Sequence, residues 1–376
     1  GYAMDTVMGL PSFSYGAGLN LYNNGIPAFF MNRLGAYRVD RRKKNPIYLE
    51  TLKGMSNIAI QRGVNSLFFP GGTRSRSGML ETELKKGLLG TVVEAQRSIS
   101  LTNSDKKVFI VPLVISYHFV LEAKFMIDQY LKQTGKEQYF NTPNEPFSIR
   151  KLFKFMWEFF SESSEIILSF GQPVDVLGNL VDAEGNSFDK SGNLINIKEY
   201  FMLNGVVKQN LQRENEYTNI LSDKIVQRYR KENIVLSSHV VAFAMFSIIK
   251  NINTDLTIYE VLRLPIDDYV FPIETAIDVV DFIKVELKRL ESKDEIKLSK
   301  IFEEPTEELI HTGIKKLGKF HAQKPLRFNK NNDIVSDDAT LLYYYHNRLL
   351  GYGIEDKLQS FFKNYKKTNI LLEATP

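Results

Sequence analysis

An α/β first half with a mostly parallel sheet flanked by helices, followed by a C-terminal helical region, is the fold class this 376-residue sequence predicts. Three observations point that way. Short apolar runs alternate with helical periodicity through the first half, the pattern of a parallel sheet covered on both sides. Two of the runs, Ser66–Phe69 and Phe109–Ser116, are almost continuously apolar, as central buried strands are. From Ile197 onward helical periodicity dominates, broken by Asn and Asp between Asn251 and Asp255 and by turns near Pro265, Pro272, Pro305 and Pro325. The change of pattern sets two expected domains, 1–200 and 201–376.

The elements follow in order. Strands are expected at Ser12–Tyr15, Ala36–Arg41, Ser66–Phe69, Phe109–Ser116 and Glu165–Phe170, with helices at Pro27–Leu34, Tyr48–Arg62 and Leu84–Ser98 between them. Thr6 to Asn32 carries no charge, yet Pro11, Pro27 and three asparagines make it a strand and loops rather than a membrane span. The segment 119–164 is helical in pattern and rich in Phe and Lys. Asp182 to Asn193 lacks the oxygen spacing and closing Glu of an EF-hand, so it reads as two successive turns on Glu184-Gly185-Asn186 and Ser191-Gly192-Asn193. Ile234 to Ile249 is too short and too rich in Ser and His to span a bilayer and reads as a buried helix. No internal repeat is evident.

Composition excludes several classes of function. With no cysteine there is no disulfide, no thiolate nucleophile and no cysteine-based zinc site. Basic and acidic residues number 48 and 44, which leaves little net field for nucleic acid. The local run Arg41-Arg42-Lys43-Lys44 is different, because four adjacent cations attract anionic surfaces or phosphorylated ligands.

The most informative stretch is Phe68 to Gly78, which reads Phe-Phe-Pro-Gly-Gly-Thr-Arg-Ser-Arg-Ser-Gly. An apolar run delivers the chain into a flexible turn bearing two arginines, two hydroxyls and several backbone N–H groups. Arginine offers a planar fork of donors that matches phosphate oxygens two at a time, and glycine lets the backbone approach an anion closely. An ordinary Gly/Ser turn with solvated arginines has the same composition.

This stretch resembles the third signature block of the glycerolipid acyltransferases, Phe-Pro-Glu-Gly-Thr-Arg-Ser. Three more blocks agree in order and spacing: Ala17-Gly18-Leu19-Asn20-Leu21, Gly35 to Arg42, and Val111-Pro112-Leu113-Val114-Ile115-Ser116-Tyr117. Lys86-Gly87-Leu88-Leu89 and Phe170-Gly171-Gln172-Pro173 are also similar to family positions, and Leu341 to Leu350 resembles a Tyr-Tyr-Arg-Asn-x-Leu segment in long glycerol-3-phosphate acyltransferases. The family's first block, His-x4-Asp, has no counterpart, because no aspartate stands five residues after His118, His239, His311, His321 or His346. The resemblance therefore implies that the catalytic pair lies upstream of Gly1. Gly71 stands where the family usually has Glu, which implies a more positive pocket lacking one ordering carboxylate.

What the resemblance implies about function is specific. An acyl group passes from a thioester, acyl-CoA or acyl carrier protein, to the 1-hydroxyl of glycerol-3-phosphate in phospholipid biosynthesis. The closest alternatives take lysophosphatidate or dihydroxyacetone phosphate as acceptor, or bind lipid or phosphate without catalysis. Arg41, Arg74 and Arg76 are expected to grip the phosphate, Gly72, Thr73 and Ser75 to shape the pocket, and Pro112 to fix the strand beside the thioester. A histidine would take the hydroxyl proton as it attacks. The resemblance also implies peripheral attachment at the cytoplasmic face of a membrane, an acyl entrance along 119–164, and neither cofactor, metal nor nucleic acid.

Overall fold

The computed structural model describes residues 3–11, 13–22, 25–40, 42–72, 74–102, 105–134, 165–317 and 319–373. In chain order the principal elements are β1 (Ser14–Gly18), α1 (Gly25–Met31), β2 (Ala36–Val39), α2 (Pro46–Gln61), β3 (Ser66–Leu67), α3 (Lys86–Leu101), β4 (Leu113–Tyr117), α4 (Ala123–Thr134) and β5 (Ile166–Phe170). Helices α5 (Leu211–Glu232), α6 (Ser237–Ile252), α7 (Ile258–Val261), α8 (Ile273–Ser292), α9 (Thr306–Leu317), α10 (Ala339–His346) and α11 (Ile354–Glu373) follow, with short two-residue strands among them. The α/β class with a helical C-terminal region is as the sequence predicts.

Two compact units share these elements. One comprises Gly1–Arg74, Glu81–Pro112 and Gly171–Arg228, the other Ser75–Leu80, Leu113–Phe170 and Tyr229–Pro376. Both are discontinuous in sequence, so they do not divide at residue 200. The physical reason is visible in the first unit, where Arg97 of α3 pairs with Glu214 of α5 at 2.9 Å, drawing the start of the helical region to the earlier elements.

In the first unit β2, β1 and β3 form a parallel sheet with β1 in the middle. Tyr15 lies opposite Ala36 and Gly18 opposite Val39, while Ser14 faces Ser66 on the other side. Small residues make β1 the central strand: Ala17 is buried, and a Cβ on Gly16 would already lie 3.0 Å from Val39 Cγ2. The expectation of a central strand at Ser66–Phe69 is thus corrected. Strand β3 is two residues long and sits at the edge, and Phe69 is exposed. Backbone bonds from Gly72 N–H to Phe69 O and from Lys85 N–H to Pro70 O turn the chain out of the sheet at that point.

Helix α2 starts at Pro46, two residues before the expected Tyr48. The Asn45 side chain accepts from Ile47 N–H at 2.9 Å and proline occupies the first helical position, both ordinary start signals. Helix α2 contains no buried residue, and it meets α3 through polar pairs, Ser56 with Thr91 at 3.0 Å and Asn57 with Glu94 at 3.4 Å. After Gly171 comes a run of Asx turns at a seven-residue period. Asp175, Asp182 and Asp189 each accept from the backbone N–H and side-chain amide of an asparagine four residues on. Gly178, Gly185 and Gly192 hold the left-handed positions. The two turns read from sequence are the second and third members of this repeat, and they form a three-stranded antiparallel ladder.

In the second unit β4 and β5 pair antiparallel, Leu113 opposite Phe170 and Tyr117 opposite Ile166. Helix α6 is the core, as Ile234–Ile249 suggested: from Ser237 to Ile249 every residue but Ser247 is buried. His346 of α10 stacks on Phe243 of α6 with centroids 5.0 Å apart. Most of the expected helical stretch 119–164 lies outside the described residues; within it, Ala123–Thr134 is helical.

Candidate phosphate-binding turn

The turn from Pro70 to Gly72 belongs to the first unit. Gly72 has φ +73°, open to glycine at little cost. A Cβ there would lie 2.5 Å from Lys85 Cδ, so the lysine stem crosses directly over the backbone. Beside it, a Cβ on Gly71 would lie 2.5 Å from a carboxyl oxygen of Glu81. The carboxylate expected to be lost at position 71 is therefore supplied from ten residues downstream, a correction to the more positive pocket read from sequence. Burial raises the Glu81 pKa and the neighbouring Lys85 opposes that rise. Neither residue was singled out from sequence, because no periodic or motif signal links position 71 to 81.

Other expected residues of this unit have definite surroundings. Arg74 follows the turn and is exposed. Pro112 is buried and its carbonyl accepts from Gly171 N–H at 2.8 Å. Arg41 and Thr73 lie outside the described residues. Next to Arg41, Asp40 accepts from both the backbone N–H and Nε of Arg42 at 3.1 and 3.2 Å, which holds its carboxyl below the usual range.

Ser75 and Arg76 belong to the second unit and are held there. The Ser75 hydroxyl donates to Met79 O at 2.7 Å, so its proton closes the turn rather than pointing outward. Arg76 donates to Gln133 Oε1 at 2.9 Å. Gly78 has φ +82°, and a Cβ on it would lie 2.1 Å from Tyr344 O. Asn347 Nδ2 donates to Ser77 O at 2.8 Å, and the Tyr344 hydroxyl lies 3.5 Å from Ser75 O. The same segment reaches β4, because Arg348 donates to Ile115 O and to Asn233 Oδ1, both at 3.1 Å. Within the second unit, Ser75 to Gly78 and Leu341–Leu350 are thus one bonded assembly.

Four of the five histidines are occupied by packing. Burial lowers the pKa of His118, His321 and His346 to about 4 and that of His239 well below the ordinary value. A neutral His118 accepts from the Ser238 hydroxyl at 2.9 Å on Nδ1 and donates from Nε2 toward Glu165 at 3.4 Å.

A glycine turn followed by Arg74 leaves the edge strand of a three-stranded parallel β-sheet flanked by helices, the arrangement of an α/β protein. The family model described as Acyltransferase matches residues 8–116, the segment that runs from the approach to β1 through the arginine turn and α3 into β4. That match supports the glycerolipid acyltransferase superfamily for this segment, and with it general acyl transfer in lipid biosynthesis. No curated protein matches the chain.

Proposed function

We propose that the protein is a glycerol-3-phosphate 1-O-acyltransferase. The observation that carries the reading is the arginine turn at Pro70–Gly78 lying inside the matched segment. Arginine guanidinium groups bind phosphate through paired, charge-assisted hydrogen bonds, so Arg41, Arg74 and Arg76 hold the acceptor's phosphate. Gly72 lets the backbone come close, Thr73 shapes the pocket, and Ser75, with its proton given to Met79, stiffens the turn. Pro112 fixes the start of β4 beside the thioester of acyl-CoA or acyl carrier protein. The acceptor hydroxyl then attacks the thioester carbonyl, loses its proton to a general base, and the thiol departs. His118, His239 and His346 do not fit the role of base, because each is buried and committed to packing or hydrogen bonds.

Attachment to the cytoplasmic face of a membrane forms part of the proposal. No described helix is long and apolar enough to cross one. The first unit exposes Phe29, Phe30 and Leu34, and α2 exposes Ile47, Leu49, Met55 and Ile58. Arg33, Arg42, Lys43 and Lys44 are exposed on the same stretch of chain. Apolar side chains interspersed with cations suit an anionic lipid surface.

Calorimetric titration with glycerol-3-phosphate tests the reading, with glycerol, lysophosphatidate and dihydroxyacetone phosphate as comparators. Selective binding that Arg74→Ala removes supports it. A folded protein that prefers lysophosphatidate or dihydroxyacetone phosphate reassigns the acceptor.

A further inference from the structure

The second unit contains a cavity of about 600 Å³ that the phosphate turn does not use. It lies where the ends of β4 and β5 meet the start of α6. Its walls are apolar: Ile167, Ile234, Leu298 and Ile301 line it. Its polar groups gather where the sixteen-residue α6 begins. Ser237, the first residue of that helix, is fully buried, lines the cavity, and its hydroxyl makes no hydrogen bond among the described residues. Ser299 lines the same cavity, and its hydroxyl is also buried without a partner among the described residues. Buried hydroxyls are nearly always satisfied, and two unsatisfied ones belong to residues that border this one cavity, where a small side-chain turn would offer them to a ligand's acceptor atoms.

Charge selects the sign of that ligand. Lys316 is neutralised by Glu165 at 2.9 Å, while Lys300 at the rim makes no ion pair among the described residues. His118 is neutral at physiological pH, because burial holds its pKa at about 4. One uncompensated cation therefore stands beside the positive end of α6. We propose that this cavity binds an amphipathic anion, with its phosphate or carboxylate head held by Ser237, Ser299, Lys300 and the start of α6, and its apolar tail along Ile167, Ile234, Leu298 and Ile301. The volume lies within the range of small-molecule sites. Repulsion from Glu165 places the head at the Lys300 end. The site lies wholly within the second unit and does not depend on which acceptor Arg74 binds.

Octyl phosphate and decanoate, titrated calorimetrically into the full chain with octanol and inorganic phosphate as comparators, test the proposal. At least one amphiphile is expected to bind one site at least tenfold more tightly than either comparator. Whichever of the two binds better identifies the head as phosphate or carboxylate. Lys300→Glu, at an exposed position, is expected to weaken that binding at least tenfold, and Ser237→Ala several-fold without loss of thermal stability. Arg74→Ala is expected to leave it unchanged. Octanol binding equally well would make the cavity merely apolar, and inorganic phosphate binding equally well would make it a plain anion site. Binding that Arg74→Ala abolishes belongs to the arginine turn, and binding indifferent to both Lys300→Glu and Ser237→Ala lies elsewhere. Each of these outcomes, like no binding at all, overturns the proposal.

Discussion

A carboxyl oxygen of Glu81 lies 2.5 Å from the place where a Cβ on Gly71 would stand, so the acid and the missing side chain compete for one volume. The backbone at Gly71 is not in the left-handed region, so the obstacle to a side chain there is Glu81 itself. Gly71→Glu alone is expected to destabilise the protein by about 1 kcal/mol, because the group displaced is the far end of the flexible Glu81 side chain and the remaining cost is repulsion between two carboxylates. Gly71→Glu combined with Glu81→Gly should recover most of that loss. Urea denaturation of the three variants measures the coupling, and a neutral single Gly71→Glu would show that Glu81 does not occupy the site.

Arg74→Ala is expected to weaken glycerol-3-phosphate binding by about 2 kcal/mol, the scale of one charge-assisted hydrogen-bond pair. Affinity for the acyl thioester should change little, since the arginine is assigned to the acceptor. Parallel titrations with both ligands distinguish the two. An equal loss for donor and acceptor would remove Arg74 from the phosphate site.

Gly78→Ala places a Cβ at 2.1 Å from Tyr344 O at a residue with φ +82°. Unlike Gly72, whose obstacle is the flexible Lys85 stem, Gly78 meets backbone that cannot step aside. A cost of about 3 kcal/mol or more follows from left-handed strain plus displacement. Thermal unfolding reads this directly. A Tm within one or two degrees of the parent would mean that the 75–80 segment does not rest on α10.

Asn347→Ala removes the side-chain bond to Ser77 O and the partner of His346 Nδ1. The expected result is a loss of about 1–2 kcal/mol in stability. Glycerol-3-phosphate affinity should fall by more than Gln133→Ala lowers it, because Asn347 holds the turn backbone whereas Gln133 meets only the Arg76 side chain. Unchanged affinity in Asn347→Ala would show that the clamp is structural alone.

Stability should fall on mild acidification. His118, His321 and His346 have native pKa values of about 4, below the ordinary value of 6.5, because burial disfavours the charged ring. The unfolded chain therefore binds more protons between about pH 6.5 and 4, and stability is full above that window and declines through it. Urea midpoints at pH 7 and pH 5 measure the decline, and His346→Gln should reduce it by the share of one ring. A flat profile across the window would contradict the burial of these rings.

Much of this protein is legible along the chain because the signals are local. The strand at Ala36–Val39, the helix at Pro46–Gln61, the buried helix around Ile234–Ile249 and the turns at Gly185 and Gly192 follow from apolar runs, caps and glycine placement. Strand order was not legible. Ser66–Phe69 is the more apolar run, yet β1 takes the centre of the sheet because Gly16 and Ala17 let neighbours approach. Apolar content reports burial in general and says nothing about which neighbour a strand will meet.

By itself the sequence determined the α/β class, the helical second half and the arginine turn, because periodicity, turn chemistry and a run of residue types are properties of consecutive positions. Tertiary structure alone decided that Glu81 stands in for a side chain at Gly71, that Asn347 clamps Ser77, and that Ser237, Ser299 and Lys300 border one cavity. Those partners lie from ten to 270 residues apart, and contacts over such separations are fixed only when the folded chain closes the intervening loops and packs one surface against another.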